Sequence, residues 1–326
     1  MVEGMEPKSA TCCGPSRDLA AQGLDYLAAA LGVPLATPAD SAALARALIA
    51  LPGGFFDMGC RTSRFAEDLD APRRKVRLSP FRISATACSN ADYARFAAET
   101  GYRTVAEREG WSSVFHLALA EPQRFTRSPP GLPWWRRVDG AFWAAPEGPG
   151  SDVAQRMDHP VVHVAWFDAL AYCIWAGLAL PTEAQWEYAA RGGLKHRKFP
   201  WGDALQPGGK HAMNVWQGHF PAENSAEDGY PLTAPVTAFQ PNGYGLFNTC
   251  GNVWEWVDDR YATTPPAGPF PLRDPVGPDQ GTARIQRGGS CLCHDSYCDR
   301  YQVHSRTRND PDASTGHAGF RVAGPA

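Results

Sequence analysis

The chain has 326 residues, enough for a large hydrophobic core in one large domain or two ordinary domains. Its formal net charge is −3, so no overall basic field favours nucleic acid. Residues 161–180 form the most apolar stretch, but they include His163 and Asp168, so we expect no membrane span. The N-terminus lacks a basic region followed by an apolar core, which predicts a cytosolic protein.

The composition favours an irregular fold. Glycine occurs 32 times, proline 29 times and tryptophan 11 times. Turn-forming residues at this density interrupt regular elements, while tryptophan supplies bulky core side chains. We therefore expect a single, loop-rich α+β domain with little regular secondary structure, rather than a helix bundle or a doubly wound sheet.

Residues 1–50 are predicted to form an N-terminal extension. Residues 1–16 are small and polar, which is typical of disorder. Apolar residues at helical spacing predict helices within 17–50, separated around Pro34 and Pro38. The helical stretch 17–50 contains no recognisable chemistry.

Residues 51–100 contain two predicted strands and one predicted helix. Gly53–Gly59 is typical of a strand with glycine corners, and Arg74–Ser84 alternates well enough to be a second strand. Ser89 followed by Asp92 resembles a capping box that opens a helix through Ala98.

The next segments are predicted as loops followed by two helices. Residues 101–158 show turn signals and aromatic residues with little period, so we expect long ordered loops. A helix is predicted over Trp166–Ala176, ended by Gly177. Thr182 and Gln185 form a capping box for the second helix, and loops and short strands follow it to the end of the chain.

Three of the nine cysteines lie close together near the C-terminus, as Cys291, Cys293 and Cys298. Cys293 and Cys298 form a C-x4-C pair. Two thiolates suffice for Cu(I), whereas a structural zinc site needs four ligands. A disulfide, or half of a zinc site completed by His294 and His304, would use the same pair.

Cys291 is expected to face away from Cys293, since neighbouring side chains of an extended segment alternate. The remaining isolated thiols are predicted to be buried small hydrophobes in a reducing compartment, and they are Cys60, Cys88, Cys173 and Cys250.

Seven segments together resemble the formylglycine-generating enzyme, or sulfatase-modifying factor, family. They occur in the family's order and cover roughly residues 51–323. The segments are His159–Trp166, Leu180–Tyr188, Phe199–Gly202, Asn242–Asn248, Gly251–Trp256, Arg287–Ser290 and Gly319–Arg321. The resemblance implies a C-type-lectin-like fold and a catalytic domain over residues 51–326.

The resemblance also implies an activity. Members of the family oxidise the cysteine of a Cys-x-Pro-x-Arg motif in an unfolded sulfatase to Cα-formylglycine, using molecular oxygen and a thiol reductant. Cys293 and Cys298 would hold Cu(I), and the substrate thiolate would join them as a third ligand.

Three more residues acquire catalytic roles from the resemblance, and a fourth acquires one from its charge. Ser290, Tyr297 and Trp254 match family positions around the oxygen and substrate pocket, and Arg300 would favour thiolate over thiol. For Trp254, ordinary core packing is an equally open interpretation.

Two structural calcium sites are implied as well. Each set supplies one carboxylate, one amide and main-chain carbonyls, which are ligand types that calcium prefers. The first set is Asn214, Val215, Asp228 and Tyr230, and the second is Asn248, Gly251, Val253 and Glu255.

Some positions depart from the family pattern. Cys173 matches a disulfide position of secreted members, but its expected partner is Val322, and a second bridge is replaced by Ala190 and Val303. Their loss fits a cytosolic protein. His317 stands where the family often has asparagine near the substrate groove.

Two alternative functions remain open. One is a non-catalytic family member that binds sulfatase chains or other peptides, although loss of Cys293 or Cys298 would have favoured it more strongly. The other is an iron-dependent oxygenase like the sulfoxide synthases, which would need a histidine-rich site of the H-x3-H-x-E type that does not occur here.

Overall fold

The computed structural model describes residues 14–15, 23–261 and 271–326. These residues contain six α-helices: α1 (Gly23–Leu31), α2 (Pro38–Arg46), α3 (Asn90–Thr100), α4 (Val105–Glu109), α5 (Trp166–Ala176) and α6 (Glu183–Ala190). Their fourteen strands are β1 (Ile49–Leu51), β2 (Gly54–Met58), β3 (Arg74–Leu78), β4 (Phe81–Ile83), β5 (Trp111–Phe115), β6 (Trp135–Asp139), β7 (Gly218–His219), β8 (Glu223–Asn224), β9 (Trp254–Arg260), β10 (Leu272–Arg273), β11 (Arg284–Arg287), β12 (Arg306–Asn309), β13 (Ala318–Phe320) and β14 (Ala323–Pro325). Long ordered loops connect these short elements, which confirms the expected α+β fold with little regular secondary structure.

The strands form small sheets rather than one continuous sheet. The largest has the order β12-β11-β9-β13, and two three-stranded sheets have the orders β1-β4-β14 and β10-β3-β2. β5 pairs with β6 and β7 with β8 as two-stranded units. Strand β11 is central to the first sheet, pairing antiparallel with both β9 and β12. The sheet thereby fixes the point at which the chain leaves β11 for the cysteine-rich segment.

Helix α5 is the central core helix and has the predicted bounds. Its sequence is apolar on nearly every side, and nine of its eleven residues are buried. The buried carboxylate of Asp168 accepts hydrogen bonds from the backbone N–H groups of Ala165 and Val105, at 2.8 and 2.9 Å. Gly177 ends the helix with φ 68°, a left-handed conformation that glycine adopts without strain.

Both predicted capping boxes are present. Ser89 and Asp92 open α3, and Thr182 and Gln185 open α6, with the side chain and backbone of each pair hydrogen-bonded reciprocally. Helix α3 continues two residues beyond the predicted Ala98. Each box satisfies backbone donors that the first turn of a helix leaves free.

Two sequence-based expectations are corrected. The predicted strand Arg74–Ser84 is two strands, because Pro80 has no N–H to donate and Ser79 bonds to Asp274 instead. β3 and β4 consequently belong to different sheets. The predicted loop region 101–158 also contains helix α4 and the β5–β6 hairpin.

The N-terminal extension packs onto the rest of the fold. Tyr26 and Ala30 of α1 are buried in the same apolar cluster as Trp175 of α5, so the extension shares the main core. Pro38 begins α2 rather than separating two helices, because proline is favoured in a first helical turn.

The predicted disorder of residues 1–16 does not hold for Gly14 and Pro15, which are buried. The remaining residues of that range lie outside those described. No helix in the described ranges has the length and apolarity to cross a membrane.

Candidate metal and peptide site

A loop that follows β11 carries the three clustered cysteines. We call residues 288–301 the cysteine loop. It begins with Gly288 and Gly289, which have φ of 96° and 75°. A Cβ on Gly289 would lie 2.7 Å from Cα of Tyr301, so only glycine allows the start and the end of the loop to pack this closely.

Buried charges anchor both ends of the cysteine loop. Arg287, immediately before the loop, donates to Glu183 at 2.9 Å and to Glu187 at 2.6 Å, and both acids lie on α6. Its guanidinium also donates to the backbone carbonyls of Val303 and His304, just after the loop. Arg287 therefore holds the start of the loop against α6 through ion pairs and the chain after the loop through hydrogen bonds.

The Sγ atoms of Cys293 and Cys298 lie 3.7 Å apart, and both residues are buried. A disulfide has a sulfur–sulfur distance of about 2.0 Å, so the two thiols are not bonded to each other. Two sulfurs at this separation can bind one ion at metal–sulfur distances of about 2.3 Å. The pair therefore fits a soft ion that accepts few ligands.

The immediate surroundings of the pair hold Cys293 in place and disfavour its thiolate form. The backbone N–H of Ser290 lies 3.4 Å from Cys293 Sγ, and its hydroxyl lies 3.9 Å away. Burial, followed by the neighbouring Cys298 thiol, raises the pKa of Cys293 well above its ordinary value. A bound cation would reverse this preference, because metal coordination stabilises the thiolate.

A four-ligand zinc site is not supported at this pair. His294 Nδ1 bonds to Ser296 at 2.8 Å, and His304 Nδ1 bonds to Asp70 at 2.8 Å. Among the described residues, three side chains that could ligate one metal ion come together at Cys60, Asp70 and His304. That group does not include Cys293 or Cys298.

Cys291 lies on the other side of the cysteine loop, as predicted. It belongs to the apolar cluster of Phe115 and Trp135, whereas Cys293 and Cys298 belong to the cluster of Trp186 and Trp254.

Arg300 contacts the thiol pair, but its charge is shared. Nη1 lies 3.8 Å from Cys298 Sγ, while Nη2 lies 3.0 Å from Asp68 and 3.2 Å from Glu67. The predicted role in favouring thiolate is therefore weakened, since two carboxylates balance the guanidinium. Burial raises the pKa of Asp68 to about 6, although Arg300 opposes that rise.

A small cavity, which we call the thiol pocket, lies above the cysteine pair. Ser290, Trp254 and Tyr297, all predicted from the sequence, line it together with the two cysteines. The sequence reasoning missed four further lining residues, and these are Trp134, Trp135, Phe220 and Leu292. The density of aromatic residues in 101–158 was the available signal for the two tryptophans.

Aromatic rings form a wall of the thiol pocket. Tyr297 stacks on Phe220 with a centroid distance of 4.9 Å and packs edge-on against Trp134 at 5.1 Å. Trp134 and Phe220 contact each other at 5.4 Å. Rings from three distant segments therefore shield the thiols from water, which strengthens polar interactions inside the pocket.

Trp254 and His317 complete the thiol pocket. Trp254 is fully buried, and its Nε1 has no hydrogen-bond partner among the described residues. Trp254 therefore packs in the core and also lines the pocket, and its catalytic role stays a prediction. His317 lines the pocket too, and its Nδ1 bonds to Thr315 at 2.8 Å.

The first implied calcium set has donors that fit the ion. The Asp228 carboxylate accepts from the backbone N–H of Val215 at 3.1 Å and of Tyr230 at 2.9 Å. Oδ1 of Asn214 is buried and has no partner among the described residues. The set therefore offers a carboxylate and a buried amide oxygen that no described residue satisfies, and both are ligand types of a calcium site.

The second implied calcium set fits less well. Oδ1 of Asn248 is also a buried atom without a partner in the described part of the chain. Glu255, however, pairs with Arg321 at 2.6 and 2.7 Å and accepts from Trp186 Nε1 at 2.7 Å. Its charge is already balanced. Gly251 has a φ of 75°, and a Cβ added to it would lie 2.3 Å from the carbonyl oxygen of Asn214, so glycine allows the two segments to pack closely. Val253, two residues further along the chain, is buried.

The positions of the missing disulfides agree with the resemblance. Cys173 and Val322 lie in one apolar cluster, and Ala190 and Val303 lie in another. Both members of each replaced pair therefore lie in the same part of the core. The seven described cysteines are buried, and none forms a disulfide with another described residue.

Comparison with known proteins agrees with this geometry. The model of the sulfatase-modifying factor enzyme 1-like domain matches residues 35–326. The formylglycine-generating enzyme of Thermomonospora curvata is 54% identical over 284 residues, covering 86% of this chain and 94% of that protein. The enzyme of the same name from Streptomyces coelicolor is 53% identical over 291 residues, covering 89% and 92%.

Two further similar proteins are a relative whose name describes it as inactive and a solved structure with low sequence identity. The inactive C-alpha-formylglycine-generating enzyme 2 of Bos taurus is 42% identical over 284 residues, covering 86% of this chain and 88% of its own. The structure of PvdO from Pseudomonas aeruginosa matches with a TM-score of 0.61 at 22% identity, covering 86% and 94%, which shows the fold alone. On the family match and the identities over most of its length, the chain belongs to the formylglycine-generating enzyme, or sulfatase-modifying factor, family.

Proposed function

We propose that the protein is a copper-dependent oxidase that converts the cysteine of a Cys-x-Pro-x-Arg motif in unfolded sulfatases to Cα-formylglycine. Molecular oxygen is the oxidant, and a thiol supplies the additional electrons. The observation that carries the proposal is the buried pair of Cys293 and Cys298, whose sulfur atoms lie 3.7 Å apart and which lines the thiol pocket. The chain that holds this pair belongs to the formylglycine-generating enzyme family.

Cys293 and Cys298 would hold Cu(I), which when bound supplies the oxygen chemistry at the substrate Cβ. The residues of the chain position the substrate and exclude water. The N–H of Ser290 orients Cys293, and the rings of Tyr297 and Phe220 cover one side of the thiol pocket. No described residue accepts from the N–H of Trp254, so this group would donate to a peptide carbonyl or to oxygen.

The proposal includes a reducing, cytosolic location and a structural calcium ion. The thiol pair must remain reduced to bind Cu(I), which a cytosolic thiol pool would ensure. Calcium at Asn214, Val215, Asp228 and Tyr230 would brace a loop-rich region beside the thiol pocket, because Trp216 follows this set and packs on Phe220.

Peptide conversion tests the proposed function. The copper-loaded chain is incubated with a Cys-x-Pro-x-Arg peptide, oxygen and a thiol, and the product is examined by mass spectrometry after hydrazine trapping. We expect an aldehyde at the cysteine, and none in a peptide whose proline and arginine are replaced by alanine. Unchanged peptide under verified copper loading would contradict the proposal.

The same experiment separates the two alternative functions. A non-catalytic family member would bind the peptide and leave its thiol intact. An iron-dependent oxygenase would be active with iron and inactive with copper. Retention of both cysteines in a buried pair favours the copper enzyme over either alternative.

A further inference from the structure

The chain contains the substrate pattern within its own N-terminal segment. Residues 13–17 read Cys-Gly-Pro-Ser-Arg, which has the form Cys-x-Pro-x-Arg. Gly14 and Pro15 are the two of these five that the structure describes. The significance of the pattern rests on the proposed function, since that function defines the substrate.

Gly14 and Pro15 are buried against the segment that forms one side of the thiol pocket. Nδ2 of Asn309 lies 3.5 Å from the carbonyl oxygens of both residues. A Cβ on Gly14 would lie 3.3 Å from Cε1 of His317 and 3.2 Å from Nδ2 of Asn309. His317 therefore contacts the N-terminal segment and lines the thiol pocket together with Cys293.

We propose that Cys13 is an intramolecular substrate, converted to formylglycine by the chain that carries it. Cys13 directly precedes Gly14 in the sequence, and Gly14 lies beside His317, a residue of the thiol pocket. A segment that only blocked the site would not need a thiol. This one retains the reactive cysteine together with the proline and the arginine.

The tether makes the reaction efficient at any protein concentration. A binding segment joined covalently and closely to the chain that binds it experiences an effective concentration on the order of 1 mM. The N-terminal segment should therefore compete with sulfatase chains for the thiol pocket until it is displaced. Conversion of Cys13 would therefore need no second copy of the protein.

The reaction balances in the same way as the proposed conversion of a sulfatase. The –CH2–SH side chain of Cys13 loses its C–S bond and becomes –CHO. One molecule of oxygen is fully reduced, with two electrons from the side chain and two from the thiol reductant, which also provides two protons. The sulfur leaves as hydrogen sulfide, and the second oxygen atom leaves as water.

Mass spectrometry of the full, copper-loaded chain tests the conversion. After incubation with oxygen and thiol, we expect a hydrazine-trapped aldehyde at Cys13 and an intact thiol at Cys12, the adjacent cysteine outside the pattern. The rate constant should be unchanged when the protein is diluted. Arg17→Ala should reduce the conversion about tenfold, because the tether no longer docks well, whereas Arg46→Ala, on α2, should not.

Peptide binding to the metal-free chain provides a readout without turnover. A fluorescent sulfatase peptide with alanine in place of its cysteine should bind the Arg17→Ala variant about tenfold more tightly than the wild type, as expected for removal of a tethered competitor. Arg46→Ala should bind it like the wild type. Equal affinities for the wild type and Arg17→Ala would count against docking of the segment.

The outcomes distinguish this inference from the proposed function. If an added Cys-x-Pro-x-Arg peptide is converted while Cys13 keeps its thiol, the inference is wrong and the proposed function stands. If neither is converted under verified copper loading, the proposed function fails and the inference fails with it. Conversion that slows on dilution would show a reaction between chains and overturn the intramolecular assignment.

Discussion

Nη2 of Arg287 lies 2.6 Å from Oε2 of Glu187, and both side chains are about 1% exposed. Glu187 also accepts a hydrogen bond from the backbone N–H of Gly59 at 2.7 Å and pairs with Arg191. Arg287 directly precedes the cysteine loop, whereas Glu187 lies on α6. Through Glu187, the start of the cysteine loop is therefore linked to helix α6 and to the backbone at Gly59.

Glu187→Gln should destabilise the protein strongly. The substitution leaves the buried guanidinium groups of Arg287 and Arg191 without their shared carboxylate, and breaking a buried ion pair costs about 3–5 kcal/mol. The free energy of unfolding in urea measures the effect. As a control, Glu223→Gln alters an exposed acid and should change it by about 0.5 kcal/mol or less. A small effect of Glu187→Gln would mean that the pair contributes little to the fold.

The same ion pair predicts a pH dependence. Burial alone would raise the pKa of Glu187, but the charges of Arg191 and Arg287 outweigh it and lower the pKa from 4.5 to about 2. The charged form therefore contributes stability that is present above about pH 4.5 and is lost as the pH falls towards about 2. The difference in unfolding free energy between the wild type and Glu187→Gln should shrink over that range, and a difference that stays constant would contradict this assignment.

Cys293→Ser and Cys298→Ser should each abolish conversion of a sulfatase peptide and prevent stoichiometric Cu(I) binding. Hydroxyl oxygen is a poor ligand for a soft ion. The fold should remain, because the core does not depend on the metal, and circular dichroism checks this.

Cys291→Ser is the matched control for these variants, since Cys291 is buried in the same loop but contacts a different apolar cluster. It should retain turnover. Unfolding of either Cys293→Ser or Cys298→Ser would instead indicate a structural metal site.

The extent to which the sequence predicts the structure varies along the chain. Helix α5 was predicted to the residue because its apolar run and Gly177 are local signals. The break between β3 and β4 depends on Ser79 pairing with Asp274, which is 195 positions away. Local periodicity carries no information about such a partner.

In the thiol pocket, too, some residues are predictable from local motifs and others depend on distant contacts. Ser290, Tyr297 and Trp254 came from motifs, and all three line the thiol pocket. Phe220 and Trp134 come from segments without a period, and only the folded chain brings them to Tyr297. The neutralisation of Arg300 by Asp68, 232 positions away, was equally invisible from the sequence.

Trp254→Phe should impair substrate use more than stability. The indole N–H has no partner among the described residues, so its removal breaks no hydrogen bond of the described protein. If it donates to the bound peptide, kcat/KM should fall about tenfold, which corresponds to about 1.4 kcal/mol. Trp216→Phe is the matched control, since it removes another buried, unpartnered indole N–H that lies outside the pocket lining. Equal effects of the two substitutions on kcat/KM would exclude a specific role for Trp254.

Calcium should stabilise the protein through the set that contains Asn214 and Asp228. Burial raises the pKa of Asp228, so its carboxylate is poorly stabilised without a cation nearby. A ligand that binds only the folded state adds about 2.7 kcal/mol at a concentration one hundred times its Kd. Chelation should therefore lower the melting temperature of the wild type, and Asp228→Asn should remove most of this calcium dependence. Asp279→Asn changes an acid outside both sets and should leave the dependence intact. A melting temperature that is insensitive to both calcium and chelator would show that Asn214 and Asp228 hold this region without a metal.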